Sequence, residues 1–305
     1  MSGSMLYHIV AFCTVAIWGS TFIFTKLLLL SGLSPAQIFT LRFLIAYVLL
    51  AGYELLMKRK THRWVADTWR DELIMLVLGV TGGSLYFLTE NEALNYTTTT
   101  NVSLIVCSCP LVAALLIGLF YKSQRMRPLQ VAGTLMAACG VAVVVLNGHF
   151  VLHLSPVGDA LALAANVCWA VYSLLMIPAN KRYGALFITR KVFFYGLLTM
   201  IPYYLLRPAE LPVPMGGSLD LAVLCQPQVV AHLLFLGVVA SCVCFLVWTW
   251  VMDKLGALIA TNYVYVNPLS TIVVASIVLG EQITLFFAIG AVLILGGMVL
   301  ADWKK

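Results

Sequence analysis

Ten apolar segments, each about as long as a bilayer is thick, occupy most of this sequence. By continuous apolar length they lie near residues 6–30, 36–57, 73–94, 98–121, 128–147, 158–178, 185–206, 229–252, 257–279 and 284–302. A helix needs about 20 mainly apolar residues to cross the hydrocarbon core of a membrane. The pattern therefore predicts an all-α integral membrane protein with ten transmembrane helices.

The composition excludes a separate soluble domain. Of 305 residues, 62% are hydrophobic and 10% charged, whereas a soluble domain has roughly 45–50% apolar and about 25% charged residues. Ten crossings use on the order of 200 residues, which leaves only short loops. Any function must therefore lie within the helical bundle and in contact with the lipid bilayer.

The basic residues predict the orientation of the chain. With the N-terminus inside, cytoplasmic segments hold 13 of the 18 basic residues: Lys58, Arg59, Lys60, Arg63, Arg70, Lys122, Arg125, Arg127, Lys181, Arg182, Lys254, Lys304 and Lys305. Cytoplasmic loops of membrane proteins are enriched in Lys and Arg. We therefore expect a multi-pass protein of the cell inner (plasma) membrane with both termini cytoplasmic. The net charge of +6 reflects this topology and does not predict a nucleic-acid partner.

The sequence contains no pattern typical of a cofactor site. Seven of the eight cysteines lie inside apolar runs, and the five histidines are scattered near helix ends and loops. Neither a disulfide framework nor a metal site follows from these spacings. No P-loop is present, so ATP hydrolysis is not expected. We predict no cofactor, no metal and no catalytic residues.

The two halves of the chain, 1–150 and 151–305, match each other. ALNYTTTTNVSLIVCSCP ends at Pro110, and VMDKLGALIATNYVYVNP ends at Pro268. Other matched pairs are Trp18 with Trp169, Gly133 with Gly290 and Gly140 with Gly297. Five spans per unit force the second copy to enter the membrane from the opposite side, as in transporters that rock around a midplane site. Duplication could also serve only to build a stable bundle.

Several motifs carry a family resemblance. Four motifs resemble the EamA-type repeat and occur in the order of that repeat across both halves. They are WGSTFIFTK at 18–26, SPAQIFTLRFLIA at 34–46, Ala-Leu-x-Tyr-Thr at 93–97, and Pro268 followed by LGE at 279–281. The chain is thus similar to the EamA family of the drug/metabolite transporter superfamily. This resemblance implies a ten-helix inner-membrane carrier, often an exporter, of amino acids and other small metabolites.

Polar and aromatic side chains recur at helical spacing on six of the predicted spans. The candidates for a substrate pathway are Trp18, Thr21, Tyr86, Glu90, Asn101, Ser108, Asn166, Trp169, Trp248, Asn262 and Tyr265. In lipid such side chains normally face the bundle interior or a watery cavity. They predict a cavity between the halves for a small amphipathic solute. Alternatively, Ser, Thr and Asn hold helices together, and Trp and Tyr form interfacial belts.

Charged residues and prolines within the spans add further hypotheses. Glu90 could titrate or bind an amine, or lie at a frayed interfacial helix end. Lys26 and Arg42 could attract a carboxylate, or snorkel or pair with an acid. Pro110 and Pro268 remove a backbone hydrogen bond in matched spans and predict helix kinks. The fifth and tenth spans are almost wholly apolar, which predicts a peripheral position.

These patterns favour a secondary transporter that moves a small metabolite, such as an amino acid or a related amphipathic solute, by alternating access. Export follows from the resemblance alone. Coupling to protons through Glu90, exchange, and uncoupled facilitation remain alternatives. The rival functions are a membrane-embedded enzyme acting on lipid-linked substrates and a non-transporting scaffold or receptor.

Overall fold

The computed structural model describes residues 3–56, 64–93, 96, 102, 105–122, 125–146, 155–212, 217, 221–279 and 283–302. These residues form helices joined by short loops. In chain order the helices are α1 Gly3–Leu30, α2 Pro35–Leu56, α3 Trp69–Ala93, α4 Ile105–Phe120, α5 Pro128–Leu146, α6 Pro156–Arg182, α7 Ala185–Leu206, α8 Pro227–Leu255, α9 Ala257–Val278 and α10 Leu285–Asp302. Nine are long and apolar enough to cross a membrane, and α4 is a shorter apolar helix over its described residues. The predicted all-α membrane class is confirmed.

Local sequence signals decide where the helices begin. Proline occupies the first position of α2, α5, α6 and α8, where its missing N–H costs no helical hydrogen bond. The start of α3 precedes its apolar run because Thr68 caps it, with Oγ1 accepting from the Asp71 backbone N–H at 3.2 Å. Gly32 and Gly256, with φ of 94° and 84°, make the sharp turns after α1 and α8, a conformation that glycine adopts without steric cost.

Several helices are not regular α-helix throughout. The third and eighth helices each widen into a π-helical stretch, Val80–Ser84 in α3 and Phe235–Val243 in α8. The ninth tightens into a 3₁₀ turn, Tyr263–Val266, directly before the segment that contains Pro268. In α4 the regular helix restarts at Cys109, with Pro110 in its first turn. Both prolines therefore lie where a helix changes form.

The helices pack into a central group with a pair on its flank. The central group contains α1 to α4 and α6 to α9, with α1 against α8 and α9, α6 against α3 and α4, and α2 and α3 against α8 and α7. The flanking pair is α5 with α10. Glycines bring these two backbones together: a Cβ on Gly133 would lie 2.6 Å from the Gly297 carbonyl oxygen, and one on Gly140 would lie 2.8 Å from that of Gly290.

Different polar links join the helices at the two ends of the bundle. At the terminal end, where α1 begins and α10 ends, three ion pairs connect α2 and α3 with α6 and α7: Glu54–Arg190, Glu72–Lys191 and Asp71–Arg182. We call these the terminal-end ion pairs. At the far end, where α2 begins, Glu210 accepts a hydrogen bond from Ser34 Oγ at 2.6 Å through its carboxylate and one from Gln37 Nε2 at 2.7 Å through its backbone carbonyl.

Candidate substrate site

An aromatic cluster from α1, α6 and α8 lies in the centre of the bundle. We define it as Trp18, Trp169, Phe245 and Trp248. The Trp18 ring centroid lies 5.8 Å from that of Trp169 in an edge-to-face arrangement, and 5.2 Å from those of Phe245 and Trp248. All four side chains are buried. The matched tryptophans Trp18 and Trp169 thus lie in contact with each other.

The π-helical stretch of α8 provides polar groups beside the aromatic cluster. The indole N–H of Trp18 donates to the Ala240 carbonyl at 2.8 Å, and Ser241 follows directly in the same stretch. A π-helical turn shifts the pattern of backbone bonds and is frequent at functional sites. The indole N–H groups of Trp169 and Trp248 are also buried and have no hydrogen-bond partner among the described residues. The cluster therefore contains two buried hydrogen-bond donors that no described residue uses.

Arg42 and Glu90 form the charged part of the site, on the far-end side of the aromatic cluster. The Nε of Arg42 donates to Ser241 Oγ at 2.8 Å, and its guanidinium lies 5.1 Å from the centroid of the Phe87 ring. Glu90 accepts from the Tyr86 hydroxyl at 3.0 Å. The Tyr86 ring packs on Trp169 at 5.4 Å, which joins the charged groups to the aromatic cluster.

The two charges are buried without direct ion pairing. Arg42 is 5% exposed and Glu90 7%. The two attract each other, but no nitrogen–oxygen contact within 4.0 Å links either one to an opposite charge among the described residues. A buried ion without a partner is costly. The arrangement can therefore bind a ligand that supplies a carboxylate to Arg42 and an ammonium group to Glu90.

Other residues of the predicted pathway make helix-to-helix or local contacts. Asn166 is fully buried, and its Nδ2 donates to the Ile105 carbonyl at 2.5 Å and to Ser108 Oγ at 2.8 Å. Thr21 Oγ1 donates to the Trp18 carbonyl of its own helix at 2.6 Å. These contacts agree with the packing alternative for Ser, Thr and Asn. The side chain of Lys26 is exposed, so the structure does not bring it to the site.

The predicted residues of α9 lie away from the aromatic cluster. Tyr265 packs with Cys107, Val141 and Ile294 in a separate core against α4, α5 and α10. Asn262 lines a cavity between α1, α9 and α10. Pro110 and Pro268 lie in the first turns of helical segments, and kinks at these positions stay a prediction. Asn101 lies outside the described residues.

Sequence reasoning missed several residues of this region. Phe87 and Phe245 were overlooked, as was Phe43, whose ring centroid lies 5.9 Å from that of Phe245. Without its contacts, a phenylalanine that packs inside the bundle cannot be distinguished from one that faces lipid. At the terminal end, the partners of Arg190 and Lys191 were also missed, since Glu54 and Glu72 lie in other helices. The described residues contain no group of three or more His, Cys, Asp or Glu placed to bind a metal.

Comparison with known proteins decides the family. The model of the EamA-like transporter family matches residues 5–146 and again residues 156–301. The chain belongs to the EamA-like transporter family. It is therefore a multi-pass membrane transporter, and the alternative of a membrane-embedded enzyme is wrong. The family also confirms the similarity derived from the sequence motifs.

Individual relatives agree with this assignment. An uncharacterized transporter of Archaeoglobus fulgidus is 29% identical, over 98% of this chain and 98% of the relative. A protein of Streptantibioticus cattleyicolor named as a probable terminal-alkyne amino-acid exporter is 27% identical, over 76% of this chain and 74% of its own. A crystal structure with 18% identity superimposes with a TM-score of 0.75 and covers 98% of this chain and 97% of that chain, which supports the fold alone.

Proposed function

We propose that this transporter exports a small apolar amino acid, or a closely related zwitterion, across the cell inner membrane by alternating access. The observation that carries the proposal is the buried pair Arg42 and Glu90, neither of which has an ion-pair partner among the described residues. An α-amino acid supplies the two opposite charges that this pair lacks. The adjacent aromatic cluster suits an apolar side chain. The named amino-acid exporter among the relatives supports both the substrate class and the direction.

The packing supports two repeats, residues 1–150 and 151–305, inserted in opposite orientations. Matched glycines of α5 and α10 face each other reciprocally, Gly133 with Gly297 and Gly140 with Gly290. The π-helical stretches occur in the third helix of each half. The contacts of α1 with α8 and α9 correspond to those of α6 with α3 and α4. A two-fold relation between the halves would produce all three features.

The polar links at the two ends would act as alternating closures. The terminal-end ion pairs join α2 and α3 of the first half to α6 and α7 of the second. At the far end, Ser34 and Gln37 of the first half bind Glu210 of the second. Rocking of the halves would break one set of links while the other persists. The basic residues of the terminal end favour a cytoplasmic location for it.

We further propose that Glu90 couples export to protons. A single carboxylate can bind either an ammonium group or a proton, so the two compete for Glu90. A substrate released outward would then be replaced by a proton that is carried inward. Only one described hydrogen-bond donor, the Tyr86 hydroxyl, occupies this carboxylate, which leaves its other oxygen for the ammonium group.

Proteoliposomes containing the purified protein would test the proposed transport. Labelled L-phenylalanine or L-leucine loaded inside should leave faster than from protein-free liposomes, and an opposing proton gradient should accelerate the efflux. Glu90→Gln should abolish that acceleration. Glu92→Gln is the matched control, because Glu92 lies on the same helix with a side chain that is 36% exposed. Efflux equal to that of protein-free liposomes, or unchanged proton dependence in Glu90→Gln, would contradict the proposal.

A further inference from the structure

A second polar site lies at the terminal end, between α1, α9 and α10. It is a cavity of about 630 Å³, and neither Arg42 nor Glu90 lines it. His8 joins its polar groups: Nδ1 lies 2.8 Å from the Tyr263 hydroxyl, and Nε2 lies 3.4 Å from Asp302 Oδ2. These contacts hold the beginning of α1 to α9 and to the end of α10.

Two hydrogen-bond acceptors in this cavity are unused. The Oδ1 atoms of Asp302 and Asn262 are both buried and have no partner among the described residues. Asn262 is 8% exposed, and both residues line the cavity. Buried polar atoms are nearly always hydrogen-bonded in native proteins. A group that suits both acceptors carries N–H donors, and the Asp302 carboxylate favours one with a positive charge.

The walls of the cavity are apolar and open toward the lipid. Ile9 and Phe12 of α1, and Leu295 and Val299 of α10, line it and are also exposed on the outside of the bundle. Among the nine long helices, α10 is the least buried. The polar groups His8 and Asp302 lie nearer the helix ends than Phe12 and Leu295. A polar end with an apolar continuation matches the direction of a lipid in the bilayer.

We propose that this cavity binds a phospholipid with a primary-amine headgroup. Its ammonium group donates to Asp302 Oδ1 and Asn262 Oδ1, and an acyl chain lies along Phe12 and Leu295. A primary ammonium has three N–H donors, whereas a quaternary ammonium has none and satisfies neither acceptor. The exposed apolar walls favour a lipid over a water-soluble amine, because they continue directly to the bilayer-facing surface.

Lipid binding to the purified full-length protein tests this proposal. Phosphatidylethanolamine and phosphatidylcholine with identical acyl chains would be compared by native mass spectrometry and by thermal stabilisation in detergent. A lipid that binds only the folded protein raises the apparent stability of that protein. Because only phosphatidylethanolamine can donate charged hydrogen bonds to the two acceptors, it should bind about tenfold more tightly than phosphatidylcholine. Free ethanolamine and phosphoethanolamine should not compete at equal concentration.

Single substitutions distinguish the loss of either acceptor from a general loss of structure. Asp302→Asn and Asn262→Leu should each remove most of the preference for phosphatidylethanolamine. Asp253→Asn is the matched control, since Asp253 is a 40% exposed carboxylate paired with Lys254 at the same end. Val299→Trp, which fills the cavity from its lipid-facing wall, should weaken the binding of both lipids. This variant tests the cavity if the polar variants fail to fold.

Three results would overturn the proposal. The first is equal binding of the two lipids to the wild-type protein. The second is a preference that persists in Asp302→Asn and Asn262→Leu. The third is competition by free ethanolamine as strong as that by the lipid, which would assign the cavity to a soluble amine. All three can be read without measuring transport, so they are independent of the substrate that the central site carries.

Discussion

Replacing Glu90 with glutamine isolates the negative charge of the central site. Glutamine has nearly the same shape and keeps an oxygen that can accept from the Tyr86 hydroxyl, now at 3.0 Å. What is lost is the charge that faces the proposed ammonium group. A hydrogen bond to a charged group contributes about 1.5–3 kcal/mol. Ligands that carry an amine should therefore bind roughly 10- to 150-fold more weakly.

The assay compares three ligands that differ only in their charged groups. Binding of L-phenylalanine, phenethylamine and 3-phenylpropanoate to the purified protein would be measured by calorimetry. Glu90→Gln should weaken the first two and leave 3-phenylpropanoate unchanged. Arg42→Gln should have the reciprocal effect, weakening L-phenylalanine and 3-phenylpropanoate and leaving phenethylamine unchanged. The two variants together assign each charge of the ligand to one side chain.

One result would refute this reasoning. If Glu90→Gln reduced the affinity for all three ligands equally, the carboxylate would act through the general structure of the site and not through an ammonium group. Glu92→Gln should leave all three affinities unchanged, because its partly exposed side chain lies within 4.0 Å of Arg207 and away from the aromatic cluster.

Two further predictions concern stability, measured by thermal and denaturant unfolding in one detergent. Gly297→Ala should destabilise the protein by about 1–3 kcal/mol, because its Cβ would lie 2.6 Å from a carbonyl oxygen of α5. The control Gly52→Ala places its Cβ in open space and should stabilise the protein by up to about 1 kcal/mol. Equal effects of the two substitutions would contradict close packing of α5 on α10. Glu72→Gln should cost about 3 kcal/mol, since it leaves the ammonium group of Lys191, which is 7% exposed, without its carboxylate partner. Asp253→Asn should have little measurable effect on stability, because both partners of the Asp253–Lys254 pair are exposed, at 40% and 42%; the reverse order would contradict the role of burial.

Much of the fold could be predicted from the sequence because the bilayer imposes a local rule. A span is recognised from its own length and hydropathy, without knowledge of its neighbours. The predicted boundaries of α2, α5 and α7 agree with the structure within a residue or two. The start of α3 was placed too late, since hydropathy does not register the polar first turn that Thr68 caps.

The candidate site was only partly accessible to sequence reasoning. Trp18, Trp169 and Trp248 were selected, and the structure places them together. Thr21 and Ser108 were selected by the same helical spacing, yet their hydroxyls donate to backbone carbonyls of their own helices. Spacing identifies which residues share a helix face. It does not distinguish a hydroxyl that faces a cavity from one that bonds to the preceding turn.

The sequence by itself determined the all-helical membrane class and the positions of most spans, because both depend on residues close together in the chain. The correspondence between the halves follows from direct comparison of their segments. Only the tertiary structure decided that Arg42 bonds Ser241, 199 residues away, and that the π-helical stretch of α8 lies beside the aromatic cluster. The physical reason is that the energy of a buried charge depends on every group around it. Those groups come from helices that the sequence does not arrange in space.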